Sequence, residues 1–188
     1  MIDKKVILFN GPPRSGKDTA TVALLDFYQK TKHLKFSRPL KEGLEKFFNI
    51  KDPQDVESKK DQKLPELLGL TWREAQISLS EEWAKVKFGK SVFGKIILND
   101  ILYSNKELFF ISDSGFYEEA EPIIKVIGEK NCLLIRLKRN NCSFDNDSRS
   151  YWKNPYKDLM EVTIDNNKSV TDLLYKCTQE IDKWMDIR

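Results

Sequence analysis

The 188-residue sequence predicts an α/β fold in three layers, with a five-stranded parallel sheet between helices. Three observations point there. The first 20 residues read as strand, glycine-rich loop and helix. Short runs of apolar strand formers then alternate with helically periodic segments to the end of the chain. The loops of unusual composition, Gly11–Lys17, Asp113–Gly115 and Arg136–Arg149, all follow strands. In a parallel sheet they would share one edge, the edge at which such sheets bind ligands. At about 150 residues per domain the length allows a single domain spanning 1–188.

The elements follow in order. Val6-Ile7-Leu8-Phe9 suits a strand buried on both faces. Gly11 to Gly16 is a turn, after which Ala20, Ala23, Leu24 and Phe27 recur at helical spacing. Leu34 to Phe36 reads as a short strand with His33 at its start, and Pro39 to Phe48 as a helix with proline in its first turn. Asn49 to Lys63 is polar and reads as a loop or a mobile helix. Thr71 with Glu74 forms a capping-box pattern that opens a helix carrying Trp72, Ala75, Leu79 and Trp83 on one face. Phe93, Ile96, Ile97 and Ile101 mark another helix. Leu108–Ile111 is a buried strand, followed by a helix from about Tyr117 to Ile127 despite Pro122. Cys132–Leu137 is a third apolar strand. Arg139 to Pro155 is turn-rich and long enough to be a functional flap. Val162–Ile164 is a last strand, and a final amphipathic helix opens at Ser169 with Asp172.

Composition excludes several classes. Hydrophobic residues at 40% are too many for a disordered chain, and charged residues at 32% too many for a membrane protein. A net charge of +3 does not imply nucleic-acid binding. No apolar run reaches membrane-helix length, and the N-terminus lacks the long apolar stretch of a secretory signal. Cys132, Cys142 and Cys177 are odd in number and show no C-x-x-C spacing, which reads as reduced thiols in the cytoplasm. One histidine, His33, rules out a His-rich metal site.

Gly11-Pro-Pro-Arg14-Ser15-Gly16-Lys17 fits G-x-x-x-x-G-K, a phosphate-binding loop. Glycines let the backbone curl so that successive N–H groups point inward, and the following helix adds its positive end. Lys17 is the cation that reaches the outer phosphates. Asp18 stands where the usual pattern has Ser or Thr on Mg²⁺, and Thr19 comes one later, a G-K-x-T variant found in nucleoside-monophosphate kinases.

Asp113 ends an apolar strand, where a phosphate-loop protein needs an acidic residue for Mg²⁺ or for the acceptor. Of 32 basic residues only seven are arginine: Arg14, Arg38, Arg73, Arg136, Arg139, Arg149 and Arg188. Where lysine is the default positive charge, an arginine points to the planar fork that suits phosphate. Most of these fall near strand ends or helix starts. Phe116, beside Asp113, is the aromatic singled out for base stacking; the others read as core. No G-x-S-x-G, H-E-x-x-H or H-R-D motif is present. Many arginines without an evident base fit transfer to a phosphate, which needs no proton removed, better than transfer to a hydroxyl.

GPPRSGKDT closely resembles the phosphate loop of tailed-phage deoxynucleoside-monophosphate kinases. FSRPLKEGL, TWREAQISLSEEWAKVKFGKSVFGK, SDSGFYEEAE and SFDNDSRSYW also resemble segments of that family, so the likeness spreads over most of the chain. The resemblance implies transfer of the γ-phosphate of ATP, with Mg²⁺, to a deoxynucleoside monophosphate. Lys17, with Arg139 and Arg149 as a lid over about 139–155, would be catalytic. Gly11, Arg14, Ser15, Gly16, Lys17, Asp18 and Thr19 would hold the ATP phosphates. Arg38, Lys41, Arg73, Asp113 and Phe116 would hold the acceptor, within a helical region of about 38–104. Asp18 and Asp113 are the candidate metal carboxylates. A compact R-x-x-x-R lid pair, present in many enzymes of this class, is missing. The resemblance further implies a host-cytoplasmic protein and raises a homodimer, for which the sequence shows no interface; no membrane or nucleic-acid partner is expected. Two other readings stay open: a small P-loop kinase for a non-nucleotide or cofactor-precursor acceptor, and a non-catalytic ATP-binding switch.

Overall fold

A computed structural model describes residues 4–145 and 147–186, so Arg188 lies outside the described residues. These residues form a five-stranded, wholly parallel sheet in the order β2–β3–β1–β4–β5. The strands are β1 (Lys5–Asn10), β2 (Thr31–Leu34), β3 (Leu108–Ile111), β4 (Cys132–Lys138) and β5 (Met160–Asp165). The helices are α1 (Lys17–Leu24), α2 (Arg38–Phe47), α3 (Pro53–Ser58), α4 (Trp72–Ile77), α5 (Lys85–Phe88), α6 (Val92–Leu102), α7 (Tyr117–Ile127) and α8 (Val170–Asp186).

Strand residues alternate between two cores, as a strand's period of two requires. Val6, Leu8, Phe109, Ile111, Cys132 and Leu134 pack under α6 and α7. Ile7, Phe9, Phe110, Leu133 and Ile135 pack under α1 and α8. The apolar runs read as doubly buried strands are thus the three central ones, β3, β1 and β4. On the first face α6 and α7 approach so closely at Gly94 that an added Cβ would run into the Glu119 carbonyl. A third, smaller core of Leu44, Val56, Leu64, Leu67, Trp72 and Ala75 joins α2, α3 and α4 beside the sheet.

Two elements differ from the sequence reading, and in a third, the stretch after Asn49, the helix alternative holds. The second strand lies at Thr31–Leu34, not 34–36, because it is an edge strand paired only to β3 and needs no apolar run. Phe36 is buried in the turn that follows. The polar stretch after Asn49 contains α3, whose first turn is capped by Asp52 accepting from the amides of Gln54 and Asp55. The capping box at Thr71 and Glu74 forms as read, but the helix it opens turns π-helical over Ser78–Ala84 before α5. The wider turn rotates the apolar stripe out of line, so Trp72 is buried while Trp83 is half exposed.

Residues 139–159 carry neither helix nor strand among the described residues. The far end of this flap is strapped to the sheet. Asn10 Nδ2 donates to the carbonyls of Ser114 (2.7 Å) and Ser150 (3.0 Å), and Trp152 Nε1 donates to Ser114 O (3.2 Å). Cys132, Cys142 and Cys177 are free thiols. No helix among the described residues is long and apolar enough to cross a membrane.

Candidate active site

The five parallel strands deliver their following loops to one edge of the sheet, and side-chain bonds tie those loops together. The loop after β1 curls around its own lysine. Lys17 Nζ donates to the carbonyls of Gly11 and Pro12, each at 2.7 Å. Gly16 sits at φ 101°, and Arg14 at φ 64° is also left-handed, so the chain reverses twice within three residues. A Cβ on Gly11 would lie 2.7 Å from the Leu137 carbonyl. Gly16 carries the helix N-terminus, and the Ala20 amide donates back to its carbonyl. Burial, reinforced by the Arg149 guanidinium, lowers Lys17 to about 8. The loop therefore concentrates amide donors and an ammonium in a desolvated place, where an anion gains most.

Asp18 turns away from Lys17 toward β2 and β3. Its Oδ1 receives Ser112 Oγ at 2.7 Å and lies 2.6 Å from Lys35 Nζ. His33 Nε2 in turn bonds Ser112 Oγ at 2.8 Å, so the lone histidine belongs to a hydrogen-bonded row rather than to a nucleophile. Bonds from Lys35 and Ser112 outweigh the effect of burial and hold Asp18 below the usual carboxylate range.

Asp113 binds the turn between β2 and α2. One oxygen accepts from the Phe36 amide (2.8 Å), the other from the Ser37 amide (3.0 Å) and hydroxyl (2.8 Å). With both oxygens so engaged, Asp18 is the better placed of the two carboxylates to meet a metal ion. Among the described residues no three His, Cys, Asp or Glu side chains gather to hold an ion by themselves.

A cavity of about 450 Å³ lies between the helical region and the flap. Arg73, Phe116 and Arg149, all named from sequence, line it together with Lys60, Glu81 and Asp147. Arg149 lies against Gly115, where an added Cβ would collide with its stem. Its Nε and Nη2 donate to the two oxygens of Asp147 at 2.8 and 2.5 Å. Arg73 Nε bonds Asp61 at 2.7 Å and is half exposed. Arg149 thus helps by its charge to lower Lys17 and also borders the cavity.

Other sequence candidates stand apart. Arg38 pairs with Glu42 and Asp100, tying α2 to α6, and does not line the cavity. Lys41 bonds Glu57 at 2.7 Å and steadies a cavity wall, since Glu57 also accepts from Trp72 Nε1. Arg139 donates to the Arg14 carbonyl at 3.2 Å, on the phosphate loop rather than in the cavity. Thr19 is exposed on α1. Sequence reasoning missed Asn10, Lys35, Ser112 and Asn166. Asn10, Ser112 and Asn166 end or directly follow strands, which was the available signal.

No family model and no curated protein matches the chain. Among solved structures it is similar to a gluconokinase from Sinorhizobium meliloti 1021, with a TM-score of 0.50 and 8% sequence identity over 100% of this chain and 99% of that one. The likeness is one of fold, a parallel sheet between helices. A thymidylate kinase from Candida albicans is also similar, with a TM-score of 0.47 and 15% identity over 96% of this chain and 92% of that one. At such identities a likeness concerns the fold alone, and the chemistry rests on the residues above.

Proposed function

We propose that this chain moves the γ-phosphate of ATP to a deoxynucleoside monophosphate and yields the diphosphate. The feature that supports the reading is Arg149, whose charge helps to lower Lys17 and whose side chain borders the cavity lined by Phe116 and Arg73. Donor and acceptor phosphates bound at these two places would meet beside one guanidinium. The resemblance of the loop and of four further segments to phage deoxynucleoside-monophosphate kinases supports the same acceptor.

In this reading the amides of Gly11–Thr19 and the helix end of α1 cradle the donor phosphates, and Lys17 leaves its carbonyl partners for them. Arg139 steadies the loop through Arg14. Asp18 would be the carboxylate that holds Mg²⁺, which would supply charge to offset that on the transferring group. Arg149 exchanges Asp147 for a phosphate edge, using the same two parallel donors. Arg73 and Lys60 orient the acceptor phosphate, and Phe116 stacks on its base. The acceptor phosphate is its own nucleophile, so no side chain needs to remove a proton. Residues 139–155 act as the lid that excludes water, and the helices over 38–104 as the acceptor-binding part of a single domain. Free thiols suit a cytoplasmic protein that draws on ATP.

A coupled ADP-release assay with ATP–Mg²⁺ tests this across the four common deoxynucleoside monophosphates, with gluconate as a non-nucleotide acceptor. Turnover with at least one monophosphate is expected. Turnover with gluconate alone would reassign the acceptor, and ATP binding without any transfer would favour a switch.

A further inference from the structure

Resting on the acceptor reading above, we propose that Glu81 reads the acceptor's base and selects one whose edge carries two adjacent N–H donors, as guanine's does. Glu81 stands in the π-helical stretch Ser78–Ala84. A π turn closes i to i+5 bonds, widens the helix and recurs where a side chain must be re-aimed. Here it brings Ser80 and Glu81 to the wall of the 450 Å³ cavity, and Glu81 also lines an adjoining cavity of about 270 Å³. Phe116 borders both cavities, so an aromatic face and a carboxylate stand together at the place where they meet.

The surroundings fix the charge of that carboxylate. Lys85 Nζ lies 2.7 Å from Glu81 Oε1, 3.8 Å from Glu119 Oε1 and 4.2 Å from the centre of the Phe116 ring. Glu119 is buried, burial raises its carboxyl to about 8, and it lies farther from Lys85 than Glu81 does, so it is the weaker counter-ion of the two. The Lys85 charge is then balanced by Glu81, whose bonds to Lys85 and Ser80 keep it below the usual range against the effect of burial. Both bonds fall on Oε1, and the Ser80 hydroxyl at 3.0 Å can rotate away. An ionised carboxylate with Oε2 and one site on Oε1 to offer accepts two parallel N–H bonds.

Of the four common bases only guanine presents that pair, from its ring N1–H and its 2-amino group. Thymine presents one N–H between two carbonyls, which a carboxylate repels. Adenine and cytosine set an amino group beside a ring lone pair. A site built to accept hydrogen bonds from a substrate rejects analogues lacking the donor, because its own acceptor is left unpaired.

The test compares initial rates with dGMP, deoxyinosine monophosphate (which lacks only the 2-amino group), dTMP, dAMP and dCMP, for the wild type and Glu81→Gln. The wild type is expected to favour dGMP, with kcat/KM for the inosine analogue lower by about tenfold or more. In Glu81→Gln the dGMP-to-inosine ratio is expected to collapse to within about threefold, since the amide offers a donor where an acceptor is needed. Preference for another base, equal use of dGMP and the inosine analogue by the wild type, or an unchanged ratio in the variant would overturn the inference. Should Glu81→Gln not fold, the wild-type ratio decides by itself. Turnover of other monophosphates with dGMP the poorest defeats only this inference; turnover of none defeats the acceptor reading with it.

Discussion

The side-chain amide of Asn166 donates to the carbonyl of Ser15 across 2.9 Å, and both residues are buried. Asn166 directly follows β5, at the far edge of the sheet from β3, and its own amide is tied to Lys138 O at 2.7 Å. The Gly11–Lys17 loop is therefore held from outside by the β5–α8 connection as well as by its own lysine. Asn166→Ala is expected to leave the Ser15 carbonyl buried without a partner, a loss of about 1–3 kcal/mol in stability. Chemical denaturation measures that loss, and ATP titration should show weaker binding although no phosphate contact was removed.

Gly16 meets the same asparagine from the other side, because a Cβ there would overlap Asn166 Nδ2 and would have to adopt φ 101°. Gly16→Ala is expected to cost about 1–3 kcal/mol from backbone strain, with the overlap adding to it. Thermal unfolding reads the loss. A variant as stable as the wild type would mean the loop is not curled as described.

On the proposed reaction Lys17→Ala is expected to lower turnover by about a hundredfold or more, since the cation that would offset developing charge is lost. Circular dichroism should show the fold intact, because the substitution removes a desolvated ammonium rather than an apolar contact.

Arg73→Ala should raise the acceptor KM by about tenfold, the effect of losing one charge-assisted bond, with ATP affinity close to unchanged. Arg149→Lys should lower kcat more than it raises either KM, because lysine cannot supply the two parallel donors that Arg149 gives Asp147. Steady-state kinetics in both substrates separates the two variants. Equal loss of ATP binding in Arg73→Ala would contradict its assignment.

Glu119 predicts a pH dependence of stability. Burial raises its carboxyl from 4.5 to about 8, with Asp113, Glu81 and Glu118 adding to the rise and Lys85 opposing it. Between those values the folded protein holds a proton that the unfolded chain has lost, so this group's contribution to stability falls as pH rises from about 4.5 to 8. Glu119→Gln should remove that fall, and the stability of the variant relative to wild type should increase across the same window in denaturant titrations.

The sequence by itself determined the sheet and the curled glycine turn between β1 and α1. Val6–Phe9, Leu108–Ile111 and Cys132–Leu137 read as doubly buried strands because central parallel strands need apolar residues on both faces, and they became β1, β3 and β4. The loop was legible because Gly11, Gly16 and Lys17 act through local backbone conformation and a short reach. Edge strand β2 was misplaced because its half-exposed residues leave no apolar run. What only the tertiary structure decided was which polar side chains meet. Arg73, Phe116 and Arg149 come to one cavity while Arg38 is drawn off to Asp100 and Arg139 to Arg14. Spacing in the chain carries no trace of such partners. The π turn that moves Glu81 into the wall and Trp83 out of it lay equally beyond an expectation of regular 3.6-residue spacing, because a one-residue change in hydrogen-bond register is settled by packing.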